Sequence, residues 1–118
     1  MNVQVIGRAV DCGGKVIGVA GDHRAEKVRF RFDREPNGKA YIKLRPPSGD
    51  PFRTELTVDG TEAVWEVDRQ AAASAGTLTC QLLTENGDYS PPWVWQSEQF
   101  TLTVLESLPY QKADAEEE

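Results

Sequence analysis

The sequence is short of the residues that catalysis and metal binding require: it has one histidine, His23, and two cysteines, Cys12 and Cys80. A hydrolase or transferase needs a proton-transfer group poised near neutral pH, usually a histidine or a pair of carboxylates set apart by their surroundings. His23 lies in the charged stretch Asp22-His23-Arg24, which reads as a solvated turn rather than a catalytic centre. No Cys-x-x-Cys or His-x-x-x-His spacing is present, so no metal site and no cofactor are expected. The two cysteines stand 68 positions apart. Closing that loop with a disulfide would stabilise the fold by about 4 kcal/mol, but thiols made in the cytosol stay reduced. Cys80, with Leu78 and Leu82 two positions to either side, reads instead as a small core residue.

Long apolar runs are also missing, and Met1-Asn2-Val3-Gln4 opens without a basic region, so neither a signal peptide nor a membrane helix is expected and synthesis is placed in the cytosol. No Asn-x-Ser/Thr sequon, lipidation motif or internal repeat occurs. Nor is there a basic excess. The net charge is −6 and the isoelectric point about 4.8, which argues against nucleic-acid binding. Asp114, Glu116, Glu117 and Glu118 supply four of those charges and leave −2 for residues 1–113, so the body is close to neutral and 109–118 reads as a disordered acidic tail. Cys12-Gly13-Gly14-Lys15 superficially resembles a phosphate loop, but Ala9 stands where the first glycine belongs and Val16 where a hydroxyl residue belongs.

What the chain does have is alternation and turns. Its 10 glycines and 7 prolines suit short strands, and 118 residues suffice for one domain with a core. Val28, Phe30 and Phe32 alternate with Lys27, Arg29 and Arg31, and Ala40, Ile42 and Leu44 with Tyr41, Lys43 and Arg45, which predicts two half-buried strands. Pro36-Asn37-Gly38 between them predicts a hairpin, which would set the two basic rows side by side as one stripe. Further strands are expected over Asn2–Val10, Lys15–Ala20 and Phe52–Val58. Val64–Val67 and Leu78–Leu83 predict two more, joined by a short helical connector that Asp68 caps and Gly76 ends. Asn86-Gly87-Asp88 reads as a hairpin tip rather than a calcium loop.

The last stretch has a parity conflict: Trp93 and Trp95 share one parity, and Phe100, Leu102 and Val104 the other. All five face inward only if a bulge falls near Ser97–Gln99; otherwise the tryptophans are exposed. Seven or eight short strands with one helical connector predict an all-β, antiparallel, immunoglobulin-like β-sandwich over 1–108. A small closed barrel is the other architecture this pattern allows. Tyr89, Trp93 and Trp95, beside Pro91 and Pro92, are the candidate contact residues. Rigid aromatics at a sandwich lip can anchor a partner protein, stack on a glycan, or simply pack.

Gly21-Asp22, Val28-Arg29-Phe30-Arg31-Phe32, Trp65-Glu66-Val67, Ala75-Gly76-Thr77-Leu78 and Phe100-Thr101-Leu102-Thr103-Val104 occur in an order that resembles a phage and prophage family, the N-terminal domain of baseplate upper proteins and related tail-associated proteins. The resemblance spans roughly residues 15–108. It implies an immunoglobulin-like sandwich without enzymatic activity that docks to other tail or baseplate proteins, usually in a symmetric assembly. It also implies a protein made in the host cytoplasm and built into a virion. The chain departs from the pattern after the sandwich, where only the acidic segment follows.

Overall fold

The computed structural model describes residues 1–12 and 14–108; the acidic tail expected at 109–118 lies outside them. Eleven strands follow in chain order: β1 (Asn2–Ile6), β2 (Ala9–Asp11), β3 (Lys15–Val19), β4 (Lys27–Phe32), β5 (Lys39–Arg45), β6 (Phe52–Glu55), β7 (Thr57–Asp59), β8 (Glu62–Glu66), β9 (Gly76–Asn86), β10 (Trp93–Gln96) and β11 (Phe100–Leu105). They form two sheets, one in the order β2-β1-β4-β8-β7, the other β3-β11-β9-β5-β6, with β10 on the same edge of β9 as β11. The expected alternation carries the core. Val3, Val5, Val28, Phe30, Ala63 and Trp65 point from the first sheet toward Ile42, Leu44, Leu78, Leu82, Leu102 and Val104 of the second, and the Phe30 and Phe100 rings meet edge-on at 6.0 Å.

Three of the expected strands are each broken in two, which is why eleven segments stand where seven or eight were expected. Asn2–Val10 folds back at Gly7, whose φ of +61° suits a tight turn. Phe52–Val58 changes sheet at Leu56, whose side chain is buried and whose N–H donates to the Ala40 carbonyl at 2.8 Å. The last strand breaks at Ser97–Gln99, where the parity conflict placed a bulge.

Four expectations need correction. The sheets are mixed rather than antiparallel: β1 runs parallel to β4, and β3 parallel to β11. The chain passes from one sheet to the other between β2 and β3, so β3 reaches the edge of the second sheet beside β11 by crossover and runs parallel to it, as a hairpin partner could not. The helical connector is absent. Asp68 does accept the Ala71 N–H on its side chain (3.1 Å) and the Ala72 N–H on its carbonyl (3.2 Å), but the turn goes no further. Ala71 and Ala72 are buried in the core and the Ala72 carbonyl is taken by the Gly21 N–H at 2.9 Å. One turn with a diverted carbonyl cannot propagate, because helix nucleation is unfavourable until further bonds repay it.

Nor do β4 and β5 form a hairpin. β4 pairs with β1 and β8, β5 with β6 and β9, so Val28 and Phe30 enter the core from one sheet and Ala40 and Ile42 from the other. The basic stripe therefore divides between opposite outer faces. Arg29 and Arg31 share Glu62 at 3.4 Å each, whereas Lys43 and Arg45 lie on the far side of the molecule.

Both thiols are buried and free. Burial pushes Cys80 up to about 12, with a smaller contribution from Cys12, and Cys12 up to about 11, partly offset by Lys15. A thiol whose folded pKa exceeds its unfolded value contributes stability below the unfolded value, near 9, and loses it as pH rises toward the folded one. Wild-type stability is thus expected to fall between pH 9 and about 12 more steeply than that of Cys80→Ala. Chemical denaturation at pH 8, 9.5 and 10.5 compares the two slopes, and parallel slopes would contradict the assignment.

Candidate functional site

The bulge is built from a serine. Gln96 lies opposite Leu83, but Phe100 lies opposite Cys80, so β10–β11 carries one residue more than β9 across this interval. The buried Ser97 hydroxyl accepts the Leu82 N–H at 2.9 Å and donates to the Glu98 carbonyl at 2.7 Å. Its own N–H donates to Leu82 O at 3.0 Å, and the Gln81 side-chain amide donates to Ser97 O at 2.8 Å. These bonds satisfy the Leu82 N–H and the N–H, C=O and hydroxyl of Ser97 at the break. Replacing Ser97 with alanine leaves the buried Leu82 N–H without its acceptor and is expected to cost about 1–3 kcal/mol. Thermal unfolding checks this, and Ser97→Thr, which keeps the hydroxyl, should recover part of the loss.

The bulge turns Trp93 and Trp95 to the same side as Phe100 and Leu102, at one end of the sandwich. There they line a cleft of about 430 Å³ with Arg8 from the β1–β2 turn, Phe32 and the 33–37 loop after β4, and Thr84 of β9. Trp95 is half-buried, packs against the core and meets the Phe32 ring edge-on at 5.8 Å. The Arg8 guanidinium lies over its other side, 5.8 Å from the ring centroid. Trp93 stands at the mouth, 37% exposed. Tyr89, 52% exposed in the 87–92 segment, is not among the lining residues. Of the three candidate contact residues, the fold therefore brings two together.

Hydrogen bonds that do not involve the aromatic rings hold the walls. Gly7 N–H donates to the Asp33 carboxylate at 2.9 Å, Arg8 donates to Gln96 O at 2.6 Å, and Glu98 N–H donates to Arg8 O at 2.9 Å. The Asn86 side chain donates to the Asn37 side chain at 2.9 Å, tying the 33–37 loop to the end of β9. Arg8 and Asp33 had no sequence signal of their own, and Asn37 only that of a turn; they join the site because the loops meet at this end. Phe32 was legible as a strand residue but not as the floor of a cleft.

The remaining motifs resolve into structure. His23 Nδ1 accepts the Arg69 N–H at 3.0 Å and ties its loop to the turn after β8. The Asp88 N–H donates to the Asn86 side chain at 2.9 Å, the local turn expected of a hairpin tip. Among the described residues no three His, Cys, Asp or Glu side chains cluster as a metal site, and no helix is long and apolar enough to cross a membrane. The cleft brings together two indole rings, the guanidinium groups of Arg8 and Arg34, and carboxylate and amide groups. Compared with protein-family models and with curated proteins, the chain matches none.

Proposed function

We propose that the protein is a non-enzymatic docking module of a phage or prophage tail or baseplate, immunoglobulin-like in fold, which seats a side chain of another virion protein against Trp93 and Trp95. The observation that carries this reading is the cleft itself. Trp93 is offered to solvent over a half-buried Trp95, and both sit on walls already tied by hydrogen bonds. Rigid aromatics in a preformed recess lose little ordering entropy when a partner binds. The strand order supports the immunoglobulin-like part: β1-β4-β8-β7 facing β11-β9-β5-β6 follows the A-B-E-D and G-F-C-C′ arrangement, with a departure in the parallel β1–β4 pair. The tail or baseplate assignment rests on the sequence resemblance over roughly residues 15–108. It carries with it assembly into a virion, in which a symmetric homo-oligomer is the natural state.

Absolute mass by light scattering, across a range of concentrations, tests the docking reading. The expected result is a discrete trimer or hexamer that copurifies with another tail protein, and Trp93→Ala should lose that partner with the circular dichroism unchanged. A wild-type monomer at every concentration that also fails to copurify with other tail proteins would overturn it. One feature favours a second reading, a carbohydrate-binding module. Asp33 and Asn37 line the cleft beside the tryptophans, and such groups suit sugar hydroxyls next to a stacking ring. Loss of glycan retention in Trp93→Ala without loss of assembly would select it.

A further inference from the structure

A second concavity, of about 440 Å³, lies on the outer face of the β5–β6–β9 sheet and shares no lining residue with the tryptophan cleft. Lys43, Arg45 and Arg53 line it, Thr79, Gln81 and Gln99 form much of its floor, and no carboxylate residue contributes to it. Lys43 and Arg53 stand directly opposite each other on β5 and β6, a like-charge cross-strand pair that is destabilising on its own. Arg53 is partly neutralised, with Glu85 at 3.5 Å and its guanidinium 4.1 Å over the Tyr41 ring. Among the described residues Lys43 and Arg45 lie within ion-pair distance of no carboxylate; the Lys43 ammonium donates only to the Gln96 side chain. The opposite outer face differs, since Arg29 and Arg31 both share Glu62. Among the described residues of a chain that is acidic overall, positive charge without a carboxylate partner on Lys43 and Arg45 thus gathers in one recess.

We propose that this recess binds an extended acidic segment of a partner protein. Lys43 and Arg45 project two residues apart along one strand, the spacing at which alternate carboxylates of an extended segment face a sheet. The amide and hydroxyl groups of Gln81, Gln99 and Thr79 offer hydrogen bonds to its backbone, and the exposed Pro51 gives an apolar wall for the residues between. A phosphate polyanion would need the charge but neither the wall nor the neutral floor. Binding relieves the Lys43–Arg53 repulsion and weakens with salt, because the charges are exposed.

The test is fluorescence anisotropy with a labelled ten-residue peptide of alternating Glu and Ala, at low and physiological salt, on the full chain. A Gln-Ala peptide and inorganic polyphosphate serve as comparisons. Saturable binding of the Glu-Ala peptide is expected, with the Gln-Ala peptide at least tenfold weaker. Arg45→Gln should weaken it about fivefold, and Lys43→Gln with Arg45→Gln should abolish it. Arg29→Gln with Arg31→Gln, on the far face, and Trp93→Ala should leave it unchanged, which separates this surface from the tryptophan cleft. Equal loss from the Arg29/Arg31 variant, retention in the Lys43/Arg45 variant, or polyphosphate binding as tight as the peptide would overturn the proposal. Circular dichroism on each variant establishes that the fold persists.

Discussion

Replacing Trp65 with alanine is expected to lower the unfolding free energy by about 3–5 kcal/mol. Trp65 lies in β8, paired with Val28 of β4, and is 1% exposed, so truncation removes the largest fully buried side chain and opens a cavity between the sheets. Against a typical stability of about 5–15 kcal/mol, that is enough to bring the domain near the point of unfolding at ordinary temperatures. The more informative substitution is phenylalanine. The Trp65 Nε1–H is buried and finds no acceptor among the described residues, and an unpaired buried donor costs about 1–3 kcal/mol. Trp65→Phe gives up packing but removes that donor, so its net cost is expected to be about 1 kcal/mol or less. Urea unfolding of the wild type and both variants makes the comparison. A loss in Trp65→Phe close to that in Trp65→Ala would mean that the indole N–H is satisfied in solution by a buried water.

Gly38→Ala is the second large effect, and it reaches the cleft. Gly38 has φ of +91°, and a Cβ placed on it would lie 2.2 Å from the Glu85 carbonyl oxygen and 2.9 Å from the Asn86 Cα. Both are backbone atoms of β9, so the loop after β4 must lift away. The left-handed backbone alone costs about 1–2 kcal/mol, and the overlap adds about 1–3 kcal/mol more. Gly60, with φ of +62° and nothing within 4 Å of a Cβ, is the control that carries only the backbone term. Thermal unfolding should therefore show Gly38→Ala falling well below Gly60→Ala. Lifting the loop also breaks the Asn37–Asn86 hydrogen bond and shifts the Asp33 and Asn37 side of the cleft, so partner binding should weaken in Gly38→Ala and not in Gly60→Ala. Equal stability losses in the two variants would show that the loop does not press on β9.

The tryptophan cleft and the basic recess illustrate what kind of information each level holds. The parity conflict between Trp93/Trp95 and Phe100/Leu102/Val104 was visible in the linear chain, because side chains alternate with a strict period of two and an inward set on both sides of a break demands one extra residue. That Ser97 stabilises the bulge was not visible, since its partners Gln81 and Leu82 lie on another strand. Tyr89 shared the aromatic character of the tryptophans but not their place, because its segment 87–92 lies beyond the paired residues of β9 and β10. The basic rows were legible as outward faces of β4 and β5. Their separation onto opposite sides of the molecule was not.

By itself, then, the sequence determined the inward and outward faces of most strands and the break near Ser97–Gln99, because both follow from the local period-two alternation. The breaks at Gly7 and Leu56, inside stretches that read as single strands, came only with the tertiary structure. Only the tertiary structure decided which strands pair. Val28 and Phe30 could have stood beside Ala40 and Ile42 in one sheet or across from them in two, and the local pattern is the same for both. Facing across the core wins because it closes an apolar interior that a single sheet leaves open to water on one side. The same choice placed Ala71 and Ala72 in the core without a helix, separated Arg29 and Arg31 from Lys43 and Arg45, and brought Arg8, Phe32 and Trp95 together from three distant parts of the chain.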